Sequence, residues 1–117
     1  MAGVLVPVVL MRRFTTLVGA ADYSTVAIEV KDYQNAILSV WRGPAKDTLT
    51  FFVEESFDQK SWTLCSGAEA DWDPGASAED QVTAALTKRW LRVRAVLLGL
   101  NARASCWVLG FLERRER

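Results

Sequence analysis

Apolar and polar positions alternate along much of this chain with a period of two, the repeat of an extended strand. In "STVAIEVKDY", residues 24–33, Val26, Ile28 and Val30 fall on one face and Ala27, Glu29 and Lys31 on the other, which predicts a half-buried strand. "RWLRVRAVLLGL", from residue 89, places Leu91, Val93 and Ala95 inward and Trp90, Arg92 and Arg94 outward. "VLVPVVLMRRF", residues 4–14, is rich in β-branched side chains, and Pro7 confines it to an edge strand, a strand start or an extended arm. Further strands are expected in "NAILSVWRG", which ends at the Gly43-Pro44 turn signal, in "DTLTFFVEES", in "SWTLCSG" and in "SCWVLGFLERRER".

Two stretches break the pattern. "GAEADWDPGASAEDQ" holds three glycine or proline positions and five acids within fifteen residues and reads as a long surface loop. Its continuation, "SAEDQVTAALTKRW", fits a short helix capped by Ser77, with Val82, Ala85 and Leu86 on one face, about as well as it fits a strand. Seven or eight short strands, with at most one short helix, predict an all-β antiparallel β-sandwich or jelly roll. With 117 residues the chain is expected to form a single domain, 1–117, in which 1–14 is an N-terminal arm or edge strand.

Composition narrows the function. Half of the residues are hydrophobic, enough for a sizeable core, and fourteen basic residues balance fourteen acidic ones. No net field therefore draws in nucleic acid or an acidic membrane surface, and neither is expected as a partner. No run reaches the roughly 20 apolar residues of a membrane span. The apolar opening carries Arg12 and Arg13 behind it rather than in front, unlike a secretory leader, so the chain is expected to lack one. In that setting Cys65 and Cys106 read as two buried thiols more readily than as a disulfide.

Histidine is absent, which excludes imidazole general-base, Ser-His and Cys-His designs and His-ligated metals. Glu54 and Glu55, adjacent on a strand, point to opposite faces and cannot form the paired carboxylates of a glycosidase. They read as solvation of a strand edge. Glu69, Asp71 and Asp73 alternate in the acidic loop as calcium ligands do, but without the glycine and closing glutamate of a calcium-binding loop, and a solvated turn closed by Pro74-Gly75 is the simpler reading. No phosphate-binding glycine loop is present. No enzyme activity, cofactor or metal site is expected.

Five tryptophans, at 41, 62, 72, 90 and 107, are many for this length; four lie on expected strands, where core or sheet-face packing is the ordinary reading. Trp72 sits in the loop, which makes it the candidate for stacking on a sugar ring. Trp90, Arg92 and Arg94 line one strand face, where the arginines are expected to stack on neighbours or pair with acids of the next strand.

One hairpin carries a resemblance. Ser56-x-Asp58-x-x-x-Trp62 resembles the "S-x-D-G-x-x-W" turn of discoidin-like sandwiches and of small β-sandwich virion proteins of tailed bacteriophages, and "KRWLRVRAVL" is similar to their "RYLRV" strand at Arg89, Leu91, Arg92 and Val93. Gln59 stands where the turn glycine is usual, which argues against a positive φ there, and the discoidin ligand-binding spikes have no counterpart. The resemblance, which covers the second half of the chain, implies that these residues shape a turn with Trp62 packed on the sheet. It also implies a non-enzymatic structural protein of a phage virion, a capsid decoration or head-associated protein assembled in the host cytoplasm. Its partners would be the major capsid protein, other virion proteins or copies of itself. Val4, Val6, Val8 and Leu10 are the candidate subunit interface, against the plainer reading of a first core strand. The other functional reading is a carbohydrate-binding module.

Overall fold

The structure, a computed structural model, describes residues 3–19, 21–43, 48–65, 78–99 and 102–115. Among them are nine strands and no helix: β1 (Leu5–Val18), β2 (Ala21–Ser24), β3 (Ile28–Glu29), β4 (Tyr33–Arg42), β5 (Leu49–Ser56), β6 (Thr63–Leu64), β7 (Ala78–Ala85), β8 (Trp90–Leu97) and β9 (Arg103–Arg114). One sheet has the order β1-β9-β4-β7 and the other β2-β8-β5-β6, with β3 also on β8; every pairing is antiparallel. β2 and β3 lie in line along β8, Ala21 opposite Leu97 and Glu29 opposite Trp90, so they act as one interrupted edge strand. Counted that way, successive strands cross between the sheets except at the β5–β6 hairpin, which is the strand order of a jelly roll.

The alternation expected of β8 holds: Leu91, Val93, Ala95 and Leu97 are buried and the residues between them half-buried. They meet Leu49, Phe51 and Val53 of β5 and, from the facing sheet, Leu38 and Val40 of β4 and Val108 of β9. Two expectations fail. The strand expected over 24–33 is broken, because Val26 swings out to 82% exposure while Thr25 turns in. Thr25 takes over the ladder there: its N–H donates to the carbonyl of Val93 at 2.9 Å, and its hydroxyl accepts from the Val93 N–H at 3.0 Å.

The second failure is the short helix, since residues 78–85 form β7, paired with β4 from Asn35 opposite Ala85 to Arg42 opposite Ala78. Val82, Ala84 and Leu86 are buried while Gln81 and Thr83 are exposed, a period of two that the run of small residues had blurred. A strand here satisfies the backbone groups along the flank of β4, which local helix propensity cannot do. Ser77, the expected cap, lies outside the described residues.

β9 is one of the two inner strands of its sheet, and at Gly110 it lies close against the β4 backbone. A Cβ at that position would overlap the carbonyl oxygen of Ile37. Gly110→Ala is therefore expected to destabilise the fold by about 1–3 kcal/mol, the usual effect of overpacking, read as a lower midpoint in urea with an unchanged slope.

Cys65 and Cys106 are both free and buried, Cys106 donating weakly to the Met11 sulfur at 3.9 Å. Burial pushes their thiols up, Cys65 to about 12 with the nearby Glu55 and Glu54 charges adding to the effect, and Cys106 to about 11. A folded-state value above the unfolded one means that the native protein keeps protons the unfolded chain releases. Stability is then expected to hold through neutral pH and to fall as pH rises beyond about 9, the ordinary thiol value printed for both groups. Neither thiol should react with a disulfide reagent at pH 8 until urea unfolds the protein; reaction in the native state would refute the burial.

Candidate interaction surface

Register decides what each sheet shows to solvent, because residues opposite one another on antiparallel strands point to the same face. In the four-stranded sheet, Val8, Gly110, Leu38 and Val82 form one inward row. The neighbouring outward row is Pro7, Phe111, Ile37 and Thr83, and the next is Val9, Leu109, Ser39 and Gln81. Beyond them Trp107 lies opposite Trp41. The outer face of this sheet is thus largely apolar across β1, β9 and β4, with Leu5 49%, Val9 58% and Phe111 45% exposed.

At one end of this face the chain bulges. Met11 pairs with Val108 and Thr15 with Cys106, so Arg12, Arg13 and Phe14 together oppose Trp107 alone. The bulge is held by Thr15, whose hydroxyl donates to the Arg12 carbonyl at 2.7 Å, and by Thr16, which donates to the Phe14 carbonyl at 3.3 Å. Phe14 adopts a φ of 61°, a left-handed conformation that bulky residues rarely take. Its ring meets Trp41 edge-on at 5.8 Å, Trp41 stacks on Trp107 at 6.2 Å with 15° between planes, and the Arg13 guanidinium lies 5.0 Å over Trp107. The strained backbone therefore sets an exposed ring against a tryptophan pair.

Among the described residues β9 is the sole ladder partner of β1, so one flank of β1 is a free sheet edge. The Arg114 N–H donates to the Val4 carbonyl at 2.9 Å, which makes that pair a hydrogen-bonded one. By the two-residue alternation of antiparallel ladders, the backbone groups of Val6 and Val8 also turn toward β9 and those of Leu5, Pro7 and Val9 toward the free edge. Pro7 thus sits where its missing N–H weakens the edge rather than the ladder. With the bulges and the charges of Arg12 and Arg13, this blunts β1 against strand addition.

Of the residues expected to form an interface, Val4 is 56% exposed, while Val6, Val8 and Leu10 are half-buried and Val8 and Leu10 pack against the core. Besides Val4, the exposed apolar positions are the neighbours Leu5 and Val9, joined by Phe111 and Phe14. β1 is apolar on both faces, so its pattern gave no sign of which one the sandwich covers. Beside Val9 and Leu10 a cleft of about 390 Å³ opens toward β2 and β3, with Tyr23 and Ile28 on its far wall.

The other sheet faces solvent with charges that neutralise one another. Arg92 Nε donates to Glu54 at 2.9 Å and its guanidinium lies 4.1 Å over the Trp62 ring; Arg94 forms a two-pronged pair with Asp22 at 2.8 and 3.0 Å. Those bonds hold the Asp22 carboxyl below its usual range. Glu54 and Glu55 are 8% and 3% exposed, so they do not solvate an edge as the sequence had led us to expect. Glu55 accepts from the Thr87 N–H and hydroxyl, both at 2.9 Å, and from the Lys88 N–H at 3.1 Å, tying β5 to the turn before β8.

The turn after β5 is built by two side chains. The Ser56 hydroxyl accepts from the N–H groups of Asp58 and Gln59, and the Asp58 carboxylate accepts from those of Lys60 and Ser61 at 2.9 and 3.0 Å. These bonds hold the Asp58 carboxyl below its usual range. Contrary to expectation Gln59 does take a positive φ, 63°, because the Ser56 and Asp58 bonds impose the conformation that glycine usually supplies. This hairpin bends the chain, and Trp62 lies on the sheet with the Arg92 guanidinium over its ring. Trp72, Glu69, Asp71 and Asp73 lie outside the described residues, and among those described no cluster of acids and cysteines is placed to hold a metal.

No family model matches the chain, and no curated protein matches it by sequence. Solved structures do resemble it in fold. A chain in the structure of the infectious bursal disease virus Gx strain matches 96% of this chain with a TM-score of 0.61 at 8% identity, and this chain spans only 32% of that one. The SPBc2 prophage-derived protein YomS matches over 95% of this chain and 96% of its own, with a TM-score of 0.56 at 7% identity. The CBM22-1 xylan-binding domain of Paenibacillus barcinonensis Xyn10C matches over 99% and 98%, with a TM-score of 0.52 at 10% identity. At these identities the likeness is one of fold: an all-β sandwich shared by viral, prophage and carbohydrate-binding proteins.

Proposed function

We propose that this chain is a non-enzymatic structural protein of a phage virion, a capsid decoration or head-associated protein, which binds the major capsid protein or neighbouring copies of itself. The observation that carries the reading is the apolar outer face of the four-stranded sheet. Antiparallel sandwiches ordinarily turn polar residues outward, and a contiguous apolar face marks a surface that a partner covers. The likeness to a viral chain and to a prophage-derived protein of nearly the same length supports the virion setting. The interface then comprises Leu5, Val9 and Phe111, with Val4 at its rim and Phe14 as the anchor at the bulge. Val6, Val8 and Leu10 support it from the inner side of β1.

Light scattering of the purified protein, alone and mixed with capsid shells of the phage that encodes it, tests this. A closed oligomer or saturable binding to shells is expected. Val9→Asp with Phe111→Asp should abolish either one while leaving the thermal midpoint within a few degrees, since both side chains are already solvent-exposed. A monomer that ignores shells would overturn the reading.

One observation favours a second reading, carbohydrate binding: the exposed Phe14 ring and half-buried Trp41 form an aromatic patch backed by the buried Trp107, and the fold resembles a xylan-binding domain. Under that reading the intrinsic tryptophan fluorescence changes on titration with soluble xylan or another glycan, and Trp41→Ala or Trp72→Ala weakens the response. An unchanged spectrum across a glycan panel removes it.

A further inference from the structure

Four segments converge at one end of the sandwich. They are the β3–β4 turn with Lys31, the β5–β6 turn with Phe57, the β7–β8 turn with Thr87, Lys88 and Arg89, and Arg115 just after β9; together they line a recess of about 210 Å³. In a chain of zero net charge, four cations around one small recess are a local concentration of positive charge.

These cations are positioned largely by neutral groups. Lys88 Nζ donates to the Thr63 hydroxyl at 2.6 Å and lies 5.3 Å from the Phe57 ring. Arg115 donates from Nε to the Lys31 carbonyl at 3.2 Å and from a terminal nitrogen to the Leu86 carbonyl at 3.3 Å. Arg89 has a carboxylate partner, Glu29, at 2.6 Å, and its remaining guanidinium nitrogens are left over from that bond. Among the described residues Lys31, Lys88 and Arg115 form no ion pair. Glu55 lies against the same turn, but its oxygens are engaged by Thr87 and the Lys88 backbone, and Asp32 stands exposed beside Lys31.

We propose that this recess binds a single oxyanion, a phosphate or sulfate group, held by Lys31, Lys88, Arg89 and Arg115. Like charges gathered by bonds to neutral acceptors repel one another, and an anion among them removes that repulsion while adding charge-assisted hydrogen bonds. The terminal N–H groups of Arg89 and Arg115 not used in those bonds can donate to an oxyanion, and the lysines offer point charges. A volume of about 210 Å³ leaves ample room for one such group. The site is separate from the apolar face and does not depend on the virion reading.

Amide chemical shifts and thermal midpoint, followed during titration at constant ionic strength, test it with four probes: inorganic phosphate, a sugar monophosphate, acetate and a single-stranded DNA oligonucleotide. Saturable shifts at residues 87–89 and 115 with inorganic phosphate are expected, together with a raised midpoint. Tighter binding of the sugar monophosphate would assign the group to a larger molecule, and equal binding to the free ion; both sustain the site. Lys31→Ala with Lys88→Gln, which keeps a donor for Thr63, should weaken binding at least tenfold, and Arg115→Ala provides an independent check if the double variant unfolds. Equal response to acetate, response to the oligonucleotide alone, or undiminished binding in a folded variant would overturn the proposal.

Discussion

The register of β9 between β1 and β4 decides which side chains the sandwich covers and which it leaves outside. Alternate residues of β9 point opposite ways, so Cys106, Val108 and Leu112 enter the core while Leu109 and Phe111 face outward. A slip of one residue would exchange the two sets, and both sets are apolar enough to make the slipped sheet plausible on hydrophobicity alone. Two features forbid it. Gly110 admits the close approach of the Ile37 backbone at one position only, and the bulge at Arg12–Phe14 fixes β1 against the far part of β9. The outer apolar face follows from this choice of register.

The two outer faces then differ in kind. On the sheet that holds β5 and β8, exposed-side polar groups find partners within the sheet: Arg92 with Glu54, Arg94 with Asp22, and aromatic rings of Trp62 and Phe52 beneath the guanidiniums. Such a surface gains little from a partner, which would have to compete with bonds already made. On the sheet that holds β1 and β9 no such internal compensation exists for Leu5, Val9 and Phe111. Removing them from water is favourable in proportion to the apolar area covered, and no described residue of the chain covers them.

Much of the fold was legible in the sequence because period-two alternation is strong where one face is apolar and the other charged, as in β8 with Leu91, Val93 and Ala95 against Arg92 and Arg94. It was ambiguous where both faces are apolar or small. β1 reads as a strand but not as a strand with a known inside, so the sequence does not separate half-buried Val6, Val8 and Leu10 from exposed Leu5 and Val9. β7 is small enough at Ala84 and Ala85 to fit a helix, and only the open flank of β4 makes it a strand. Glu54 and Glu55 looked solvated because their partners, Arg92 and the turn at Thr87, lie more than thirty residues away. Gln59 takes its positive φ through the Ser56 and Asp58 side-chain bonds to the Gln59 and Ser61 N–H groups, a pattern that residue types alone do not show.

The edge of β1 and its outer face point in different directions, and the difference bears on how a partner is met. Pro7 turned to the free edge, two register breaks, and Arg12 with Arg13 beyond them are devices that stop sheets from adding strands indiscriminately. A protein whose partners docked by strand addition would keep that edge continuous and rich in donors. Here the edge is broken while the face beside it keeps Leu5, Val9, Phe111 and an exposed Phe14. Recognition through side chains on a face depends on shape and can be satisfied by one complementary surface, whereas an open edge accepts any extended chain. Under the proposed virion reading, the combination suits a fixed, selective neighbour better than a flexible peptide, which is the kind of contact that a regular assembly repeats.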